Sequence, residues 1–394
     1  MEPVTHILTG ACLARAGFNR RAAYATLTMA VAAELPDIDT LWGLRGPVEG
    51  FQHHRGITHT FIALPVEALL LVGAVWGLHR WRILRAARRA AREAAESAAT
   101  NVSRPARPLT AAPVRWGLLY LFALLALLSH LLLDYTNNYG LRPFFPFNTH
   151  WYAGSFVFIF DPAIFLLLLA ALVMPALIRL VNAEIGARAE TFRGQRSAIA
   201  ALTGVVLLWG LRAFEHQRAL QLASQQTVEA PANPDAIAAS NSPLTSLDSS
   251  SVAPEAPTPV FLQPQRMLAS PDIVNPFRWH VAIDFGPEIQ LAEIDSANGV
   301  FNPANGVMAK PARSPEFVAA QASALGRAYM DWSAMPVIDV SKATEPGEPT
   351  LVMFRDARFL GGMSFLGDRT PLTGIVELDT RRHVVSQSMD GRVE

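Results

Sequence analysis

Long apolar runs separated by clusters of arginine dominate the first half of the chain. A helix needs about 20 mostly apolar residues to cross the hydrocarbon core of a bilayer, and four runs approach that length. They lie near residues 61–78, 116–133, 156–181 and 198–214. Two shorter helical stretches, near residues 4–16 and 22–33, precede them and predict a hairpin that leans on the bundle. The pattern therefore predicts a multi-pass transmembrane helical bundle within residues 1–218.

The second half of the chain follows a different pattern. Residues 219–258 are rich in Ala, Ser, Pro, Thr and Asn, a composition that cannot bury a core and predicts a flexible linker. In residues 259–394, Val281, Ile283 and Phe285 alternate with small or polar residues, as in a half-buried strand. Further strands are predicted at Thr350–Phe354 and Gly374–Leu378, and one helix at Phe317–Trp332. The chain is therefore expected to be mainly α, a helical bundle followed by a small soluble α+β domain.

Composition and charge strengthen the membrane prediction. Apolar residues make up 51% of the 394 residues and charged residues 17%, whereas a soluble domain carries about 25% charged residues. The formal net charge is zero, so no nucleic-acid partner is expected. The lipid bilayer is the expected surrounding of the first half of the chain.

Arginine in the short loops predicts the orientation, because Lys and Arg are retained on the cytoplasmic side. The turn between the two short helices and the loops after the first and third runs are rich in arginine. These residues are Arg15, Arg20, Arg21, Arg80, Arg82, Arg85, Arg88, Arg89, Arg92, Arg104, Arg107, Arg115, Arg179, Arg188, Arg193 and Arg196. The other loops and the C-terminal domain are then expected on the extracytoplasmic face of the inner membrane.

Three clusters of ionisable residues fall in segments predicted to face outward. They are Glu34-Leu-Pro-Asp37-Ile-Asp39, His53-His54-Arg55-Gly-Ile-Thr58-His59, and His130 with Asp134. A further histidine, His6, lies alone on the first helix. The arginines alone predict the orientation, so the gathering of all three clusters at one face independently indicates a shared site.

Imidazole and carboxylate groups in this arrangement suit a divalent metal ion. His130 and Asp134 are four residues apart, so they share one helical face and are able to bind the same ion. Ionisable groups at the end of a membrane span are costly in hydrocarbon and indicate function. The candidates outnumber the ligands of one tetrahedral site, which predicts one or two ions, with zinc favoured. They are His6, Asp37, Asp39, His59, His130 and Asp134, together with His53 or His54.

Simpler interpretations stay open for single residues. Asp37 and Asp39 also suit a turn after Pro36, and His130 alone is equally consistent with a hydrogen-bonded core histidine. Arg55 would either neutralise an anionic substrate with its planar fork or reach for the membrane interface. The convergence of three clusters is what favours a metal site.

A divalent ion at such a site supports hydrolysis, because it lowers the pKa of a bound water and polarises the substrate oxygen. Glu34 is the candidate general base, and Arg55 is the candidate contact for an anionic or lipid-linked substrate such as a phosphoester. The alternative is a non-enzymatic membrane scaffold with a structural metal and a partner-binding C-terminal domain. Transport is disfavoured, because the ionisable groups gather at one face and no inverted repeat is visible.

The order of these motifs resembles the bacterial inner-membrane family of predicted metal-dependent hydrolases, which includes LexA-regulated members. The resemblance covers about residues 1–215 and extends to Phe354–Arg358. It rests on His6, the segments 34–39 and 54–59, Ser129–Asp134, Asn138–Gly140, Pro143 and Phe144. In the family pattern the histidine directly before the arginine is the motif position, which implies His54 as the ligand. The resemblance implies a membrane location and metal-dependent hydrolysis, and it leaves the substrate open.

Overall fold

The computed structural model describes residues 1–97, 110–184, 194–229, 261–310, 313–343, 348–360 and 370–394. It has the predicted fold class, a helical N-terminal half followed by a sheet-rich C-terminal domain. Four arginines of the predicted cytoplasmic loops, and residues 230–258 of the predicted linker, lie outside the described residues. These arginines are Arg104, Arg107, Arg188 and Arg193.

Eight α-helices make up the described part of the N-terminal half. They are α1 (Pro3–Leu13), α2 (Asn19–Arg21), α3 (Ala25–Ala32), α4 (Pro47–His53), α5 (Leu64–Ser97), α6 (Trp116–Thr136), α7 (Pro162–Glu184) and α8 (Gln195–Ser224). A π-helical turn at Ala14–Phe18 continues α1, and 3-10 segments at Leu35–Leu44 and Ile57–His59 flank α4.

The described helices make this a multi-pass membrane protein. Three of them are long and apolar enough to cross a membrane alone, namely α6, α7 over Pro162–Val181, and α8. A fourth span arises if Pro47–His59 and Leu64–Ala94, which meet at 86°, count as one bent span. The first predicted span, near residues 61–78, is therefore too short to cross the membrane by itself. The apolar part of α5 ends at Arg80, before it reaches the length of about 20 residues that a span needs.

The start of α7 is determined by a local capping residue, whereas the end of α8 depends on packing against a distant part of the chain. Asp161 caps α7 by accepting hydrogen bonds from the backbone N–H groups of Ala163 and Ile164, as an aspartate before a helix-starting proline predicts. In contrast, α8 continues past Phe214 to Ser224, into the predicted linker. Its last turns bury Ala219 and other small residues against the C-terminal domain, a contact that composition does not reveal.

The short helices α1 and α3 lie inside the bundle and do not merely lean on it. A Cβ atom at Gly10 would lie 2.2 Å from the carbonyl oxygen of Met29, so only glycine permits this approach of α1 to α3. On its other sides, α1 packs against α6, α7 and α8. His6 on α1 is therefore fully buried beside α6.

The described part of the C-terminal domain contains antiparallel strands, two α-helices and a 3-10 turn at Ala357–Phe359. The strands are β1 (Val228–Glu229), β2 (Phe261–Leu262), β3 (Arg266–Pro271), β4 (Arg278–Asp284), β5 (Glu288–Asp295), β6 (Val300–Ala309), β7 (Pro336–Ser341), β8 (Thr350–Asp356), β9 (Gly374–Leu378), β10 (Val384–Met389) and β11 (Arg392–Val393). One sheet has the order β3-β4-β5-β6, another β11-β10-β9-β8-β7, and β1 pairs with β2. The three strands predicted from the sequence are thus confirmed as β4, β8 and β9.

The prediction of a single helix at Phe317–Trp332 is wrong, because two helices occupy this segment. They are α9 (Pro315–Gln321) and α10 (Ala324–Trp332). The side chain of Ser323 accepts a hydrogen bond from the backbone N–H of Gly326 and so caps α10. A serine cap inside an apolar run therefore starts a new helix where periodicity alone predicts continuation.

Candidate metal centre

Four segments bring the predicted ligands together at one end of the bundle. His6 comes from α1, Asp37 and Asp39 from the first 3-10 segment, His54 and His59 from the chain after α4, and His130 and Asp134 from α6. Five of these side chains are buried, whereas Asp37 and His54 are partly exposed. The predicted convergence of the three clusters is therefore present in the structure.

Asp37, His59, His130 and Asp134 form a group whose ligand atoms all lie within 4.8 Å of one another. His59 Nε2 lies 3.1 Å from His130 Nε2, 3.2 Å from Asp37 Oδ1 and 3.4 Å from Asp134 Oδ2. His130 Nε2 lies 3.4 Å from Asp134 Oδ2 and 3.8 Å from Asp37 Oδ1. Two nitrogen atoms and two oxygen atoms therefore surround one common point.

These separations fit a tetrahedral divalent ion. Zinc binds imidazole nitrogen and carboxylate oxygen at about 2.0–2.2 Å, which sets the ligand atoms of a tetrahedron roughly 3.3–3.6 Å apart. The five separations fall close to that range. Asp134 Oδ2 is also buried without a hydrogen-bond partner among the described residues, although buried carboxylate oxygens normally have one. The residues of this group therefore fit a bound zinc or a similar ion.

The other ring nitrogen of each histidine fixes its orientation. His130 Nδ1 lies 2.7 Å from the carbonyl oxygen of Ala33, and because a carbonyl only accepts, Nδ1 carries the proton and Nε2 keeps its lone pair. His59 Nδ1 lies 3.1 Å from Asp39 Oδ2, which has the same effect. Metal-binding histidines are commonly held by a carbonyl or a carboxylate in this way.

Asp37 also belongs to a second group, which it forms with Asp39 and His54. His54 Nδ1 lies 3.2 Å from Asp39 Oδ1, and the side chain of His54 is 27% exposed. This second group offers three protein donors, fewer than a closed tetrahedral site requires. Asp37 thus joins a buried group of four donors to a more open group of three.

Asp39 is a well-satisfied carboxylate between the two groups. Its Oδ2 accepts hydrogen bonds from the backbone N–H of Arg55 at 2.8 Å and from the Thr58 hydroxyl at 3.0 Å. Burial alone would raise the pKa of Asp39, but hydrogen bonds with His54 and His59 outweigh it and hold the pKa below its usual range. Asp39 therefore stays ionised, and it orients His59 while its Oδ1 faces His54.

His6 lies against the buried group without belonging to it. Its ring stacks on the ring of His130, with the centroids 3.9 Å apart, and its Nε2 lies 3.5 Å from Asp134 Oδ1. The amine of Met1 contacts both His6 Nε2, at 3.0 Å, and Asp134 Oδ1. The alternative His53 lies 3.3 Å from Glu49 and belongs to neither group, whereas the other predicted ligands each belong to at least one of the two groups.

Arg55 is buried, and its guanidinium contacts the protein itself. Nη2 donates to Asp134 Oδ1 at 2.7 Å, and Nη1 donates to the carbonyl oxygen of Gly140 at 2.7 Å and to Asn137 Oδ1 at 3.2 Å. Its backbone has a φ of 54°, a conformation that long side chains rarely adopt. The predicted contact of Arg55 with substrate stays a prediction, and the observed contacts hold Asp134 in place.

Glu34 immediately precedes the first 3-10 segment. Burial, with a smaller contribution from the negative charge of Asp37, raises the pKa of Glu34 to about 8. Its Oε2 is buried and has no hydrogen-bond partner in the described part of the chain. The predicted role of Glu34 as general base stays a prediction.

Comparison with known proteins identifies a membrane family. Residues 1–219 match the family described as YdjM inner membrane protein. The chain belongs to this family. It is also 25% identical over 187 residues to the uncharacterized protein YfhP of Bacillus subtilis, a match that covers 44% of this chain and 45% of YfhP. The chain thus matches less than half the length of that relative, and no solved structure matches it.

The matched region contains every predicted ligand and ends at residue 219, before the C-terminal domain. Two residues at the site were missed in the sequence. Asn137 accepts from Arg55 and lies only three residues after Asp134 on α6, so its position at a helix end was the available signal. Arg358 reaches the same loop from the C-terminal domain; it lies in the segment Phe354–Arg358 to which the family resemblance extends, but the sequence predicted no role for it.

Proposed function

We propose that this chain is a membrane-embedded metal-dependent hydrolase whose site faces the extracytoplasmic side. The observation that carries the proposal is that Asp37 belongs to both donor groups. Two divalent ions about 3.5–4 Å apart, bridged by protein carboxylates, are typical of phosphatases, nucleases and aminopeptidases. The buried group would hold one ion, and the group of Asp37, Asp39 and His54 would hold the other.

The more open group favours catalysis over a purely structural metal. A structural zinc site is closed by four protein ligands, whereas a catalytic site keeps a position for water or substrate. His54 is partly exposed and its group has three donors, so a ligand position would be available there. When bound, the ions supply Lewis acidity and an activated water for hydrolysis.

The chain's own residues would orient the reacting groups. Asp39 fixes the tautomer of His59, and Arg55 holds Asp134 so that its Oδ2 points into the buried group. Glu34 is the candidate general base, since it is a carboxyl next to Asp37 that belongs to neither donor group. With its pKa raised to about 8, its ionised form accepts the proton, so we propose that its activity as a base rises toward that pH.

A phosphoester, and in particular a lipid-linked one, is the substrate class that we propose. The 3-10 segment that carries Asp37 also exposes Ile38, Leu41 and Leu44, the last of them 85% exposed. Phe147, in the loop after α6, is 83% exposed. Apolar side chains of this kind would contact lipid chains while the headgroup reached the ligands.

The distribution of arginine supports the extracytoplasmic placement that we propose. The ligands lie just before α5 and at the end of α6, whereas Arg80 and Arg82 lie at the middle of α5 and Arg115 precedes α6. Because arginine is retained in the cytoplasm, the ligands and the C-terminal domain packed near them would face outward.

Reporter fusions test this orientation. We expect alkaline phosphatase fused after Glu394 to be active, because that enzyme needs the oxidising periplasm, and the same reporter fused after Arg92 to be inactive. A green fluorescent reporter should give the reverse pattern. Green fluorescence with inactive alkaline phosphatase at both positions would refute the outward placement of the C-terminal domain.

An activity screen with metal analysis tests the hydrolase itself. The purified protein should contain divalent metal and hydrolyse a soluble phosphoester, a phospholipid or a polyprenyl phosphate, with the lipid substrates preferred. Chelator should remove the activity, and readdition of metal should restore it. His130→Ala should lose metal and activity, whereas His383→Ala, which removes a 75% exposed histidine, should keep both. Metal without hydrolysis of any substrate class would favour the structural-metal scaffold instead.

A further inference from the structure

The C-terminal domain packs on the segments that carry the metal centre. Val48 and Phe51 of α4, and Tyr139 after α6, share one buried apolar cluster with Tyr329 and Trp332 of α10. The Phe51 ring stacks on Tyr329 with centroids 5.6 Å apart and meets Trp332 edge-on at 5.3 Å. Because this cluster spans both halves of the chain, the domain has a fixed position beside the ligands.

One arginine of this domain reaches the loop after α6. Arg358 is 7% exposed, and its Nε and Nη2 donate to the two carboxylate oxygens of Asp356 at 2.8 and 2.9 Å. Its Nη1 donates to the carbonyl oxygen of Asn138 at 2.8 Å and lies 3.5 Å from that of Tyr139. Nε and Nη2 of Arg358 therefore pair with the carboxylate charge of Asp356, and Nη1 binds the backbone of the N-terminal half.

The partner of Arg358 is itself held rigidly. Asp356 Oδ2 accepts hydrogen bonds from the hydroxyl of Ser333 and from the backbone N–H groups of Ala334 and Met335, at 2.5, 2.8 and 3.2 Å. The guanidinium carbon of Arg358 also lies 4.7 Å from the ring centroid of Trp332. A buried ion pair is a weak source of stability because both charges lose their hydration. The pair of Asp356 and Arg358 is better explained by its effect on the loop after α6, which Arg358 Nη1 contacts.

The segment bound by Arg358 is the segment that holds Arg55. Gly140 and Asn137 accept the hydrogen bonds of Arg55 Nη1, and the ring of Tyr139 lies 4.8 Å from its guanidinium carbon. Trp332 Nε1 donates to the carbonyl oxygen of Tyr139 at 3.2 Å, a second contact from the C-terminal domain. Both domains therefore fix the loop that surrounds Arg55.

We propose that Arg358 is a positioning residue of the metal centre and that the C-terminal domain completes this centre. The path runs from Arg358 to the carbonyl oxygens of residues 138 and 139, then to Arg55, and from Arg55 to Asp134. The inference rests on the metal site of the proposed function, but not on its catalytic activity. Partners that orient a metal ligand typically contribute about 10–100-fold to metal affinity.

Cobalt substitution in the full-length protein tests this inference. We expect Arg358→Lys, which keeps the charge and loses the fork, to weaken Co2+ binding by up to about 10-fold, the lower end of the range for a direct partner of a ligand, and to alter the visible spectrum of the bound ion. Arg355→Lys is the matched control, because Arg355, on β8 and three residues before Arg358, pairs with Asp339 on the neighbouring strand β7. That control should keep the wild-type spectrum and affinity.

A second variant guards against loss of folding. Trp332→Phe keeps an aromatic ring in the core but removes the N–H that donates to Tyr139 and part of the indole ring beside Arg358, so we expect a shift of the same kind. Unchanged cobalt affinity and spectra in both variants would overturn the inference, as would a wild-type chain that takes up no cobalt. Cobalt binding that is weakened in both variants, without hydrolysis in the wild type, would support the inference and refute the proposed activity alone.

Discussion

Asparagine in place of Asp37 is expected to remove metal from both donor groups and to abolish metal-dependent hydrolysis. Within the described residues, Asp37 is the ligand that the two groups share. Without the Asp37 carboxylate, three of the original donors stay in the buried group and two in the open one. The amide oxygen of asparagine carries no negative charge, so it does not balance the charge of a divalent ion. We therefore expect metal affinity to fall by more than the roughly 100-fold that loss of an orienting partner costs.

Metal stoichiometry for a set of variants checks this expectation. We expect two ions per chain in the wild type, one in His54→Ala, which affects only the open group, and none in Asp37→Asn. Glu93→Gln is the control, because Glu93 is an exposed carboxylate on α5; this variant should keep both ions. Two ions in Asp37→Asn would contradict the shared role of Asp37, whereas one ion in the wild type would restrict the site to the buried group.

The candidate site was largely predictable because its residues follow local rules. His130 and Asp134 are four residues apart on one helix, and that spacing alone puts both on one face. The arginines of the loops predicted that the clusters share one membrane face, and the clusters do lie at one end of the bundle. Local spacing and charge asymmetry are properties of short segments, which a sequence displays directly.

The remaining features depend on contacts between distant segments. Nothing near Gly10 in the sequence indicates that the backbone of Met29 packs so closely against it that only glycine fits. This contact places α1 in the centre of the bundle. The dual position of Asp37 requires the actual geometry of four segments, since spacing gives only a set of candidates. The contact of Arg358 with Asn138 joins residues 220 positions apart. Such a pairing leaves no periodic signal in either segment.

Methionine in place of Arg55 is expected to destabilise the protein by about 3–5 kcal/mol in the absence of metal. Methionine fills much of the space, but it removes the guanidinium that lies 2.7 Å from the buried carboxylate of Asp134, which then keeps the Met1 amine as a charged contact. Breaking a buried ion pair by removing one partner typically costs that amount, because the remaining charge has lost its hydration. The carbonyl oxygen of Gly140 also loses the Arg55 donor, whereas Asn137 Oδ1 still accepts from the backbone N–H of Tyr139.

Bound metal should reduce this cost, because a divalent ion would balance the charge of Asp134 in place of Arg55. Unfolding of wild type and Arg55→Met in detergent, with metal and with chelator, measures both effects. Arg45→Met is the matched control, since Arg45 is exposed and stacks on Trp42; its loss should cost under about 1 kcal/mol in either condition. An equal cost for Arg55→Met with and without metal would mean that no ion balances Asp134. The difference between the two conditions is therefore a measure of the metal at this carboxylate that does not depend on knowing the substrate.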